Sequence, residues 1–99
     1  MSYEDLLIED ARLVLLRVMY EMPNRRANSS VLCSILDEKF CHALELADVK
    51  RELRWLEEQQ LVKIDDVSNG AVLVAKLTER GADVAAGRAR VDGVKRPGA

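Results

Sequence analysis

The chain has 99 residues, 48% hydrophobic and 4% aromatic, with a net charge of -2. That suffices for one domain around a modest aliphatic core, and no apolar run approaches the ~20 residues of a membrane span. The acidic balance argues against a strong nonspecific nucleic-acid binder, although one local basic face stays compatible with it.

Glu4 and Asp5 stand where a signal peptide would carry bases, so a cytoplasmic location is expected. Cys33 and Cys41, the two cysteines, are expected to be reduced thiols. Charge is unevenly placed. Residues 1–22 hold Glu4, Asp5, Glu9, Asp10 and Glu21 against Arg12 and Arg17; residues 84–99 hold Arg88, Arg90, Lys95 and Arg96 against Asp92.

The first predicted helix runs from Tyr3 to Met22 and stops at Pro23, which lacks an amide hydrogen. Leu7, Ile8, Ala11, Val14, Leu15, Val18, Met19 and Met22 form its broad core face. Leu6, Leu13, Leu16 and Tyr20 form a second stripe with coiled-coil spacing. That stripe suits either a core contact with the last helix or a homodimer seam. After a polar connector, Asn28 or Ser29 caps a second helix reaching Phe40, with Val31, Leu32, Ile35, Leu36 and Phe40 inward.

A third helix spans Leu46 to Gln60, with Leu46, Val49, Leu53 and Leu56 buried. Ala47, Lys50, Arg51 and Arg54 lie on its opposite face. Those cations suit phosphates and guanine edges, while Asp48 and Glu52 weaken the attraction. The alternative is a solvated face of mixed charge.

Leu61–Ile64 and Ala71–Leu77 read as strands, with Asn69-Gly70 as the hairpin signal. Asp65 and Asp66 stand near the tip, where a groove-gripping hairpin would carry bases. Thr78 caps a short last helix ending near Gly87. Residues 1–87 thus form one domain, and 88–99 a basic, flexible tail.

This order predicts a mainly α fold with a small β-hairpin, a winged helix-turn-helix. The run Trp55-Leu56-Glu57-Glu58-Gln59-Gln60-Leu61-Val62, followed by Leu77-Thr78-Glu79-Arg80-Gly81, resembles winged-helix regulators of the MarR and ArsR type. Those families commonly place glycine where Gln60 stands. The chain also resembles a family of small winged-helix proteins of Mu-like phages and prophages. The matching pieces are Glu9-Asp10-Ala11-Arg12-Leu13-Val14-Leu15-Leu16-Arg17, Leu53-Arg54-Trp55-Leu56, Leu77-Thr78-Glu79-Arg80-Gly81 and Gly93-Val94-Lys95-Arg96-Pro97. The resemblance implies a phage origin and an ArsR-like label, without a defined biochemical role. ArsR metal sensing needs a cysteine cluster, which Cys33 and Cys41 do not supply.

Neither a zinc ligand set nor a catalytic dyad is expected from Cys33, Cys41 and His42. No enzyme activity and no cofactor are expected. The leading expectation is duplex DNA binding by a homodimeric phage transcriptional regulator. Lys50, Arg51 and Arg54, beside Ala47, would read the major groove, and Arg88, Arg90, Lys95 and Arg96 would add phosphate contacts. The alternative is a protein–protein module, an accessory factor in phage assembly or DNA packaging.

Overall fold

A computed structural model describes residues 2–67 and 69–98. The elements are α1 (Tyr3–Glu21), β1 (Arg26–Asn28), α2 (Ser29–Phe40), α3 (Leu46–Glu58), β2 (Val62–Asp66), β3 (Leu73–Leu77) and α4 (Glu79–Ala85). Four helices pack with a three-stranded antiparallel sheet of order β1-β3-β2. The fold is therefore mixed α and β. The hairpin expected from the sequence gains a third strand, because Arg26, Ala27 and Asn28 pair with Lys76, Ala75 and Val74. Three residues between two helices are too short for a periodicity to reveal.

Local chemistry accounts for the ends of the elements. Ser2 and Asp5 form a reciprocal capping box at the start of α1. Asn28, rather than Ser29, caps α2, its Oδ1 accepting the Val31 amide at 2.8 Å. Ser29 is fully buried, and its hydroxyl accepts the Leu73 amide at 3.2 Å, tying α2 to β3. Gln60 takes the glycine position after α3 with φ of 64°. Its amide donates to the Glu57 carbonyl, and the Leu61 amide donates to Leu56, as in a Schellman ending.

The Leu77-Thr78-Glu79-Arg80-Gly81 motif clamps that same end. The Thr78 hydroxyl accepts the Gly81 amide at 3.0 Å and lies 2.8 Å from the Gln60 carbonyl. Arg80 Nε donates to the Gln59 carbonyl at 3.1 Å. A Cβ on Gly81 would fall 2.0 Å from the Leu61 carbonyl oxygen, so only glycine permits this approach.

The core joins Leu15, Leu16 and Met19 of α1, Leu32 and Leu36 of α2, and Val49, Leu53 and Leu56 of α3. It continues through Val62, Ala75 and Leu77 of the sheet and Ala82 and Val84 of α4. Three expectations change. Leu7, Val31 and Phe40 are exposed instead of inward. Leu13 and Leu16, expected as possible seam residues, lie within the chain's own core, where α1 packs on α4. Finally, the 88–98 segment folds back onto the domain. Val91 and Val94 join the core, and the Lys95 amide donates to the Glu9 carbonyl at 3.2 Å. Two valines among glycine, proline and charge were too sparse to signal this docking.

Candidate nucleic-acid interface

α3 has two polar sides, and they differ in kind. Towards α1, Glu52 is 3% exposed. Arg12 Nε reaches its carboxylate at 2.7 Å, and the same guanidinium lies 3.7 Å from the Trp55 ring centroid. Arg12 Nη1 also donates to the Gly93 carbonyl at 3.0 Å. Gly93 has φ of 96° and lies so close to Trp55 that a Cβ would sit 2.7 Å from the ring. Beside this knot, Asp10 bonds His42 Nε2 at 2.7 Å and Lys95 Nζ at 3.4 Å. Burial acts to raise the Asp10 pKa, but the hydrogen bonds from His42 and Lys95 outweigh it and hold the carboxyl below its ordinary value.

These contacts hold three segments together. His42 is buried against Asp10, the Cys33 thiol donates to the Leu44 carbonyl at 3.3 Å, and Cys41 is exposed. The three side chains considered together in the sequence serve separate local structures.

On the opposite side of α3, Ala47, Arg51 and Arg54 are exposed and Lys50 is half-buried. The arginines are already engaged. Arg51 pairs with Asp48 at 3.2 Å and Glu52 at 3.3 Å, and Arg54 with Glu57 at 3.6 Å and Asp66 at 3.4 Å. Asp66 also accepts the Gly70 amide at the hairpin turn, so it braces the hairpin against α3 instead of projecting from a tip. The pairs with Asp48, Glu57 and Asp66 lie at the surface and contribute about 0–1 kcal/mol each, so a phosphate can replace those carboxylates at small cost, whereas Glu52 is buried.

Two of the tail cations are engaged by acids of the same chain. Arg88 bonds Asp83 at 3.0 Å, which pushes its pKa further up, and Lys95 is held by Asp10. Arg90 and Arg96 are exposed. In the proposed seam, Leu6 is 52% exposed and Tyr20 half-buried, while Leu13 and Leu16 are consumed by the core. The four residues therefore do not make one surface stripe.

The sequence reading missed a cationic row on the sheet. Arg26 lies opposite Lys76, and Lys63 lies opposite Lys76 from the other side. All three are exposed, while the neighbouring Ala27, Val62, Ala75 and Leu77 are buried on the other face. Strand alternation marks Lys63 and Lys76 as outward-facing. Their alignment with Arg26 needed β1, which the sequence did not reveal.

No family model matches the chain, and no solved structure matches it. Over 93 residues it is 46% identical to uncharacterized protein gp26 of Escherichia phage Mu, covering 94% of this chain and 93% of that one. Over 80 residues it is 39% identical to an uncharacterized protein of Haemophilus influenzae, covering 81% of this chain and 76% of the other. The resemblance to proteins of Mu-like phages, first drawn from short pieces, thus extends along almost the whole sequence, and the chain belongs to the family of phage Mu gp26.

Proposed function

We propose that this chain is a winged-helix DNA-binding protein of Mu-like phages and prophages, a transcriptional regulator acting as a dimer. The observation that carries the reading is the element order α1-β1-α2-α3-β2-β3-α4, with β3 central and α3 offering Ala47, Lys50, Arg51 and Arg54 to solvent. In this arrangement α3 is the recognition helix and β2-β3 the wing. Lys50 is the best-placed reader, because it makes no ion pair among the described residues. Arg51 and Arg54 exchange their surface carboxylates for phosphate or guanine. The tail cations contribute less, since Arg88 and Lys95 are held by acids of their own chain.

Dimerisation uses a different surface from the Leu13–Leu16 stripe. A groove of about 540 Å³ is lined by Val14, Val18, Met22, Ile35 and Phe40, with the charged side chains Arg17, Lys39 and Glu21 beside them. The first two turns of α1 expose Tyr3, Leu6 and Leu7 beside the acids Glu4 and Asp5. An apolar, acidic turn matches an apolar groove flanked by two cations and one acid, so each copy seats its α1 start in the other's groove. Light scattering should show a dimer that Leu7→Glu or Phe40→Glu converts to monomer; a dimer in both variants refutes this contact.

Fluorescence anisotropy against fragments of the phage genome at low salt tests the DNA reading. Loss of a base-reading side chain costs about 1–3 kcal/mol, with relaxed preference at its base pair. Unchanged affinity and salt slope for the Lys50→Ala, Arg51→Ala, Arg54→Ala variant would exclude α3 as the reader.

The second reading is a protein–protein module in phage assembly or DNA packaging. Exposed Asp65 near the hairpin turn and the engaged state of Arg51 and Arg54 favour it. A fixed-ratio complex with one phage protein, retaining no DNA, would support it.

A further inference from the structure

We infer that the outer face of the sheet is a second nucleic-acid contact, a phosphate-backbone surface built from Arg26, Lys76 and Lys63. It extends the DNA reading to a new surface and rests on that reading for the identity of the anion. Each of the three cations sits on a different strand, in direct register across the sheet. Neighbouring strands lie about 5 Å apart, so three positive side chains share a line of roughly 10 Å. Like charges directly opposite destabilise a sheet. None of the three makes an ion pair among the described residues. This concentration of unneutralised charge stands in a chain whose net charge is -2, so it is not a general basic background.

The surroundings favour a phosphate backbone over an acidic protein. The shallow depression over the row is lined by Arg26, Lys63, Asp65, Val74 and Lys76. Among the described residues that line it, Val74 is the one apolar side chain and none is aromatic, where a protein interface would want an aromatic anchor. Asn28, opposite Val74 on the same face, adds an amide of the kind that contacts phosphate oxygens. Asp65, opposite Val74 on the other side, bounds the surface towards the hairpin turn.

The row also faces away from α3. The Ile64 amide donates to Glu57 and Arg54 reaches Asp66, which holds α3 at the β2 edge and on the face bearing Val62, Ile64 and Asp66. Lys63 and Lys76 alternate to the other face. The row therefore addresses a stretch of phosphate backbone other than the one facing α3.

Three proteins separate this inference from the α3 reading: wild type, an Arg26→Gln, Lys63→Gln, Lys76→Gln variant, and the Lys50→Ala, Arg51→Ala, Arg54→Ala variant. Affinity for a duplex of about 25 base pairs is measured from about 50 to about 200 mM salt, and each phosphate neutralised contributes about 0.9 to the slope of log K against log salt. The row variant should lose roughly 2 to 3 from that slope while keeping wild-type sequence preference. Amide shifts at residues 26–28, 63–65 and 74–76 of the wild type should move on titration with duplex. A row variant with the wild-type slope overturns the inference, whatever the α3 variant does. Conversely, a lost slope in the row variant with an unaltered α3 variant upholds the row and refutes α3. Wild type that ignores duplex but binds heparin through the row also overturns it, since the partner is then another polyanion. The three substituted side chains are exposed, and a native amide spectrum of each variant confirms that binding, not folding, has changed.

Discussion

Removing Arg12 should destabilise the fold more than any other single change to a charged residue. Its partner Glu52 sits at 3% exposure, and Arg12 is itself only 16% exposed. Arg12→Ala leaves a carboxylate in the interior with Arg51 as its remaining cation, at 3.3 Å and largely in solvent. Breaking a buried pair from one side costs about 3–5 kcal/mol, because the remaining charge stays desolvated. The Arg51 contact offsets part of this, which argues for the lower end. Loss of the guanidinium stacked on Trp55 adds about 1 kcal/mol. The net expectation is about 3–4 kcal/mol, a large fraction of the 5–15 kcal/mol that holds a typical domain together. Urea unfolding measures it. With m of roughly 1.5 kcal/mol per molar, the midpoint falls by about 2 M. The double variant Arg12→Met, Glu52→Leu removes both charges while keeping bulk, and should recover most of the loss. A midpoint for Arg12→Ala within about 0.5 M of wild type, or a double variant no better than the single one, would refute the reasoning.

Other outcomes follow from single contacts. Gly81→Ala drives a Cβ into the Leu61 carbonyl and should cost about 1–3 kcal/mol by forcing α4 away from the end of α3; calorimetry reads it, and an unchanged Tm would contradict the clamp. Gly93→Ala meets both the Trp55 ring and a φ of 96°, so hydrogen exchange across residues 88–98 should accelerate, and unaltered protection there would show that the segment docks some other way. Asp10 is held below its ordinary pKa by His42 and Lys95 despite burial, so its stabilisation is complete above about pH 4 and fades as pH falls through the lowered folded value. The stability gap between wild type and Asp10→Asn should therefore close below pH 4, and a gap persisting at about pH 2 would contradict the assignment. Lys76→Thr relieves like-charge contact with both Arg26 and Lys63; it should raise stability by roughly 0.5–1 kcal/mol at low salt and less at high salt, whereas a loss would mean the row is not repulsive.

How far the sequence was legible depends on whether an interaction is local. Helix caps were readable at Thr78 and Asn28, because capping involves residues three apart. Most of the buried stripe of α3 was readable from period alone, with Val49, Leu53 and Leu56 at 0% exposure, while Leu46 at its first turn is only half-buried. Gln60 announced a departure from glycine, and the structure accommodates it in the left-handed region at modest strain. What escaped was non-local. β1 is a strand because β3 offers it a partner, and the 88–98 segment docks through Val91 and Val94 in the core and through contacts with Glu9, Asp10, Arg12 and Trp55, all distant in sequence. The two stripes of α1 could not be assigned to core or seam from one helix considered alone. The acids beside Arg51, Asp48 and Glu52, were legible as neighbours on the helix, but the Arg54 pairing was not, because Asp66, twelve residues beyond it, was placed near a tip rather than beside α3.

The pieces that carried the family resemblance have an architectural explanation. Arg12 comes from the first, Trp55 from the second, and Gly93 and Lys95 from the last, and all meet at one knot that docks the C-terminal segment on α1 and α3. The Thr78-to-Gly81 piece clamps the end of α3 to α4. None of these contacts presents chemistry to a partner. Similarity at such positions therefore transmits the fold, while the task of the protein must be sought where side chains are exposed and not required by that fold. The Arg26–Lys76–Lys63 row meets that condition, and the half-buried Lys50 on α3 meets it in part. The row also carries a cost in sheet stability that nothing in the fold explains, which makes it the sharper place to look for a function.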